Sequence, residues 1–365
     1  MNLQAVAPDA DRHQTPAPVS WLDRVPSYVP GKPAHDGGLA LAANEAASCS
    51  ERVATALRSE SSWHRYPDPL ATRLREDLAR YHGVRSEQIL VGNGSDELVQ
   101  LLIAAYVGHG GMVVAADPPY AMSRIVALTV DASFEGVPLV DNAHDLDEMA
   151  RREADLVYVV NPHNPTGTCH DGAAITRFAR RAAARLVVID EAYIDFATER
   201  EPADPAACIA DGRTVVLRTF SKAYGLAGCR VGYLIGSEEI IEQLRRVRAP
   251  FSVTAPSQAA AAAALADQEF LALHIAEIAE VRAALSERLR ELGCKVPDSQ
   301  ANFILLAGVD EHLVVARLAE QGIAVRAGSG LGMPGSVRIT VPTRRDLPRL
   351  VAALENSLLG LIGRE

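Results

Sequence analysis

Leu156-Val157-Tyr158-Val159-Val160 runs straight into Asn161-Pro162-His163-Asn164-Pro165-Thr166-Gly167. Five successive apolar or aromatic residues suit a strand buried on both faces. The prolines and the closing glycine end it in a polar turn. The same grammar recurs on either side. Gln88-Ile89-Leu90-Val91 runs into Gly92-Asn93-Gly94-Ser95, and a helical pattern follows from Asp96 to Tyr106. Met112-Val113-Val114-Ala115 leads to Asp117-Pro118-Pro119-Tyr120, Leu186-Val187-Val188-Ile189 to Asp190-Glu191-Ala192-Tyr193, and Thr214-Val215-Val216-Leu217 to Thr219-Phe220-Ser221-Lys222. Strands alternating with helices predict an α/β fold, a mostly parallel sheet flanked by helices. Such sheets bind ligands outside the carboxyl ends of their strands. Residues scattered from 94 to 222 therefore converge on one cleft.

After Pro250 the pattern changes. Ala259 to Leu289 reads as Ala-rich helix, in two pieces around Asp267. Asn302–Leu306 and Ser336–Val341 read as strands of a smaller α+β domain, closed by a helix from Leu347 to Leu358. Upstream, Thr72 to Tyr81 carries Leu74, Leu78 and Tyr81 at helical spacing. The expected organisation is a flexible tail over 1–24 and an arm over 25–45 that joins the small domain. A large domain follows over 46–255, and a small C-terminal domain over 256–365.

The chain has 365 residues, 48% hydrophobic and 22% charged, with a net charge of −10. At about 150 residues per domain this is enough for two cores. The acidic balance disfavours nucleic acid and anionic membranes as partners. No apolar run approaches the roughly 20 residues of a spanning helix, and the N-terminus reads as no signal peptide. The five cysteines are spread out with no CxxC spacing. Reduced thiols, a cytoplasmic setting and no metal site are expected.

Of 36 basic residues only three are lysines, Lys32, Lys222 and Lys295. Lysine can shed its proton and attack a carbonyl, which arginine cannot. Lys222 stands after a strand and before Ala223-Tyr224-Gly225-Leu226-Ala227-Gly228-Cys229-Arg230, where glycines permit a tight turn round a ligand. It reads either as a nucleophilic amine or as an exposed loop residue. Gly92-Asn93-Gly94-Ser95 reads either as an anion seat at a helix start or as a turn capped by Ser95 or Asp96. Asp190 ends a buried strand, where a carboxylate needs a cation, a ligand nitrogen or a cap to satisfy.

Taken together, NPHNPTG, DEAY and SKAYGLAGCRVGY resemble the recurring blocks of fold-type I, pyridoxal-phosphate-dependent aminotransferases. Asn44-Glu45, RYPDP at Arg65–Pro69 and YVPGK at Tyr28–Lys32 resemble the histidinol-phosphate aminotransferase branch. The resemblance runs from about residue 25 to the C-terminus. It implies that Lys222 carries pyridoxal 5'-phosphate as a Schiff base and moves the proton, and that Asp190 pairs with the ring nitrogen. Asn164 and Tyr193 would bond the ring's 3-oxygen, and Tyr120 would stack on the ring. Gly94, Ser95, Asp96, Thr219, Ser221 and Arg230 would form the phosphate cup. Tyr66 would reach the neighbouring subunit's cofactor, which makes a homodimer with shared sites. Arg338 would grip the substrate carboxylate as a fork, Arg326 its far end, and Tyr28 and Asn44 would line the substrate site.

The implied reaction moves an amino group from a small-molecule donor to a 2-oxo acid or phosphorylated ketone. Ala46-Ala47 stand where Asn-Pro is usual, His163 where Asn is common and Cys229 where Leu is common. Asp298-Ser299-Gln300-Ala301-Asn302-Phe303 resembles relatives that act on aromatic amino acids. The substrate thus stays open among histidinol-phosphate-like, aromatic and specialised biosynthetic classes, with decarboxylation of a phosphorylated amino acid as the rival reaction. A nicotinamide-binding oxidoreductase would need GxGxxG after the first strand, and the chain offers only GxGS.

Overall fold

The computed structural model describes residues 16–31, 33–35, 37–61 and 63–360; Lys32 and positions 1–15 of the expected tail lie outside the described residues. In chain order the strands are β1 (Leu39–Ala40), β2 (Ile89–Gly92), β3 (Met112–Asp117), β4 (Ser133–Pro138), β5 (Leu156–Val160), β6 (Leu186–Asp190), β7 (Thr214–Thr219), β8 (Gly232–Ile235), β9 (Phe303–Ala307), β10 (Ile323–Ala324), β11 (Arg326–Ala327) and β12 (Ser336–Thr340). Seven of them form one sheet in the order β2-β8-β7-β6-β5-β3-β4. Only β8 runs against the rest. The carboxyl ends of β2, β3, β5, β6 and β7 therefore share one edge. β4 and β8 lie in stretches not singled out as strands above. Ser133-Phe134-Glu135-Gly136-Val137-Pro138 has a polar pattern, and Gly232–Ile235 is hidden in the glycine-rich block.

Alternate residues of each strand serve opposite cores, as a period of two dictates. Tyr158, Val160, Val188, Val215, Leu217 and Leu234 pack with helices Gly94–Tyr106, Ala121–Thr129 and Glu238–Val247. Val157, Val159, Val187, Ile189 and Val216 pack on the other face with helices Thr72–His82, Gly172–Arg181 and Ala255–Leu265. Each such aliphatic side chain contributes about 1.5–3 kcal/mol by leaving water. Asp190 and Thr219 continue the first set at the strand ends, which places the cleft on that face.

The smaller sheet is antiparallel, β11-β12-β9, and β1 pairs in parallel with β10. A third apolar cluster, with Leu41, Ile304, Leu306, Val314 and Ile339, lies there. The Ala-rich stretch does break at Asp267, whose side chain caps helix Gln268–Glu291. The shorter helix Ala255–Leu265 packs with the large sheet, and the expected boundary at 255/256 falls after its first residue. Helix Gln268–Glu291 gives Leu271, Ile278 and Val281 to that core, then Leu285 and Leu289 to the small one.

Residues 20–24, expected in the tail, form a short turn instead. Trp21 donates its indole N–H to the Thr129 carbonyl at 3.2 Å, and Arg24 pairs with Asp131. A tryptophan supplies enough apolar surface to hold such a segment down. No helix among the described residues is long and apolar enough to cross a membrane.

Candidate active site

Asp190 is the last residue of β6 and only 3% exposed. Its carboxylate accepts the Ala192 N–H at 3.0 Å and the Tyr158 hydroxyl. No cation pairs with it among the described residues. Burial pushes the carboxyl up to about 6, against the pull of those two donors. An acid in this position is ready for a cationic ligand atom.

Lys222 follows β7 by three residues. Its Nζ donates to the Ala43 carbonyl at 3.2 Å and lies 5.6 Å from the centre of the Tyr193 ring. Gly225 turns the chain behind it with φ +70°, where a Cβ would meet the Ser48 carbonyl oxygen at 2.2 Å. Only glycine fits both demands. The Tyr193 hydroxyl accepts from Asn44 Nδ2 at 3.1 Å and from Asn164 Nδ2 at 3.4 Å. Asn164 Oδ1 in turn accepts from Arg338 Nη1 at 2.7 Å.

The turn after β2 leads directly into a helix beside Arg230. Helix Gly94–Tyr106 starts at Asn93 with no side-chain cap, so neither Ser95 nor Asp96 is its N-cap. Both lie in the first turn, where backbone N–H groups lack partners inside the helix. The helix also begins two residues earlier than its apolar pattern, because Gly94 and Ser95 add no apolar side chain. Asp96 is engaged elsewhere, by the Tyr120 hydroxyl at 2.7 Å and Arg230 Nη2 at 3.2 Å. A Cβ on Gly94 would come within 2.5 Å of that guanidinium. Arg230 has a left-handed φ of +50° and also donates to the Ser221 hydroxyl at 3.4 Å, while Thr219 Oγ1 accepts the Ser221 N–H at 3.1 Å.

Arg338 and Arg326 face each other across β12 and β11. Arg338 is 6% exposed and donates to Asn164 and to the Ala42 carbonyl at 2.8 Å, leaving its Nε without a partner. Burial draws its guanidinium below the ordinary range, and the charge of Arg326 pushes the same way. Arg326 donates to the Val29 carbonyl at 2.6 Å and lines a cavity of about 660 Å³. Neither has a carboxylate partner among the described residues.

Residues 37–354 match the family model of aminotransferases of class I and II. The chain is 37% identical to the histidinol-phosphate aminotransferase of Geobacillus sp. strain WCH70, over 92% of this chain and 97% of that one. It is 38% identical to the enzyme of that name from Geobacillus thermodenitrificans, over the same shares. The crystal structure of histidinol-phosphate aminotransferase from Sinorhizobium meliloti with pyridoxal-5'-phosphate superposes with a TM-score of 0.84 at 27% identity, over 93% of this chain and 97% of that one. The chain belongs to the class I and II aminotransferases.

The aminotransferase uses pyridoxal phosphate, and the residues present suit that group. A buried acid without a cation, a lysine amine near it, and an uncapped helix start beside the Arg230 guanidinium match its ring nitrogen, aldehyde and phosphate.

Two residues expected at the site are exposed in the single chain. Tyr66 is 82% exposed and stacks on Phe251 with ring centres 4.6 Å apart. Tyr28 is 60% exposed. Asn44, expected on the substrate, is buried with its side chain and backbone engaged by Tyr193, Thr340 and Asn302. Its side-chain amide holds the Tyr193 hydroxyl. Sequence reading missed Tyr158, Thr340 and Asn302. Tyr158 carried a signal: one hydroxyl inside an otherwise aliphatic strand beside the strand of Asp190.

Proposed function

We propose that this aminotransferase moves an amino group between an amino acid and a phosphorylated ketone of the histidinol-phosphate class. The observation that carries the reading is the pair Arg326 and Arg338, two neighbouring guanidiniums with no carboxylate of their own among the described residues. Two such cations suit a substrate with an anionic group at its end. The names of the relatives at 37–38% identity point to the same class.

Bound pyridoxal phosphate supplies a ring that takes up the electron pair left when the substrate Cα loses its proton. The chain's residues do the rest. Lys222 holds the aldehyde carbon and moves the proton. Asp190, as a carboxylate, keeps the ring nitrogen protonated. Asn164 and Tyr193 bond the 3-oxygen, and Asn44 keeps the Tyr193 hydroxyl turned towards it. Tyr120 would pack against the ring face. The Ser95 and Asp96 N–H groups after Gly94, with Thr219, Ser221 and Arg230, hold the phosphate. Arg338 and Arg326 take the anionic groups of the substrate, with Tyr28 at the entrance.

We also infer a cytoplasmic homodimer. The cysteines stand free, and Tyr66 projects from its own chain in the way a residue serving a partner's cofactor must. The test of the substrate is a half-reaction. Holoenzyme is mixed with histidinol phosphate or with single aromatic amino acids, and loss of the cofactor's yellow colour is followed. Bleaching by histidinol phosphate, with release of the matching ketone, is expected. Bleaching by aromatic amino acids alone would replace the substrate class.

A further inference from the structure

Tyr158 sits in the middle of β5, paired in register with Val188 of β6, while Val160 pairs with Asp190. Parallel partners in register point to the same side, so Tyr158 and Asp190 share the face that carries the cleft. The Tyr158 ring is 1% exposed, clamped among the aliphatic residues of that core. Its hydroxyl donates to Asp190 Oδ2. Packing alone asks for phenylalanine here; a buried hydroxyl is a cost unless it is hydrogen-bonded.

We propose that Tyr158 is a positioning residue for transamination: its hydroxyl keeps Asp190 a carboxylate and fixes the direction in which that carboxylate faces. The proposal rests on the reading of Asp190 as the partner of the cofactor's ring nitrogen.

The surroundings show why such a donor is needed. Burial and the Asp96 carboxylate both favour the neutral acid, while Lys222 favours the charged one. Glu191 is next in the chain, is itself buried, and is paired with Arg218 at 2.8 Å. The Tyr120 hydroxyl is committed to Asp96. The two donors to Asp190 are thus the Ala192 N–H, on Oδ1, and the Tyr158 hydroxyl, on Oδ2. The first is backbone and follows the turn. The second hangs on a ring that cannot swing away. A donor on one oxygen favours the ionised form and sets the carboxylate plane.

The test measures cofactor retained by the holoenzyme after ultrafiltration across the acid range, for wild type and three variants. As pH falls Asp190 takes up a proton, the ring nitrogen loses its counter-charge, and the cofactor leaves. Tyr158→Phe keeps the packing and loses the donor, so its midpoint of release should rise by about one pH unit, a ten-fold change in retention at fixed pH. Tyr158→3-fluorotyrosine makes the hydroxyl a stronger donor, and its midpoint should fall; this variant also guards against a Phe variant that does not fold. Asp190→Asn should weaken retention and flatten its dependence on pH. If both position-158 variants superpose on wild type while Asp190→Asn differs, the role of Tyr158 is overturned and that of Asp190 stands. If Asp190→Asn also superposes, the pairing of Asp190 with the cofactor falls first.

Discussion

At the scale of single residues, the site is a set of charges held without their usual partners. Asp190 is the sharpest case. Its carboxyl is raised from the ordinary 3.8 to about 6 in the folded, cofactor-free chain. A raised carboxyl binds its proton more tightly folded than unfolded, so its stabilising effect is present below pH 4 and is lost as pH rises through 6. Denaturant unfolding of cofactor-free wild type and Asp190→Asn should therefore diverge with pH. Wild type should lose up to about 3 kcal/mol relative to the variant between pH 4 and 7, from a shift of about two units. A constant difference would show that Asp190 does not titrate as its burial demands. Arg338→Lys keeps the charge but loses the fork. Substrate binding should weaken by about 1.5–3 kcal/mol, read as a KM increase of ten-fold or more. An unchanged KM would remove Arg338 from the substrate site.

At the scale of elements, the strand ends were legible and the helix starts less so. β5, β6 and β7 are aliphatic runs closed by polar turns, and a doubly buried parallel strand can hardly look otherwise. Those turns offered Lys222 and Asp190 as candidates, and the resemblance to the aminotransferase blocks singled them out together with Asn164. β4 and β8 escaped because their pairing is set by neighbours in space, not by a run of apolar residues. Tyr158 escaped because a strand residue is read as core until its opposite number is known. The start of helix Gly94–Tyr106 shows the same limit: its first turn is shaped by Arg230, a residue 136 positions beyond Gly94. Gly94→Ala tests that element. The added methyl at φ +75° would press on Arg230 Nη2, and left-handed backbone costs a non-glycine residue roughly 1–2 kcal/mol. Equilibrium dialysis should show cofactor affinity reduced about ten-fold with the sheet intact by circular dichroism. Full affinity would place the phosphate elsewhere.

At the scale of the whole molecule, the two cores meet along helix Gln268–Glu291, and the cleft lies where β1, β12 and the turn after β5 come together. Tyr66 is the residue that the single chain leaves unexplained. Co-expressed Lys222→Ala and Tyr66→Phe chains should form mixed dimers in which one site has both groups intact, and the isolated mixed dimer should show about half the activity of wild type. No recovery would mean that Tyr66 serves its own chain. Arg338 has a consequence of a different kind. It is a knot tying the N-terminal arm at Ala42, the small sheet through β12, and the large sheet's turn through Asn164. An incoming anion has to unpick part of that knot before it can fasten itself. Recognition here is an exchange of ties, so ligands that arrive rigid and correctly shaped should gain more than their charge alone suggests, and small inorganic anions should gain less.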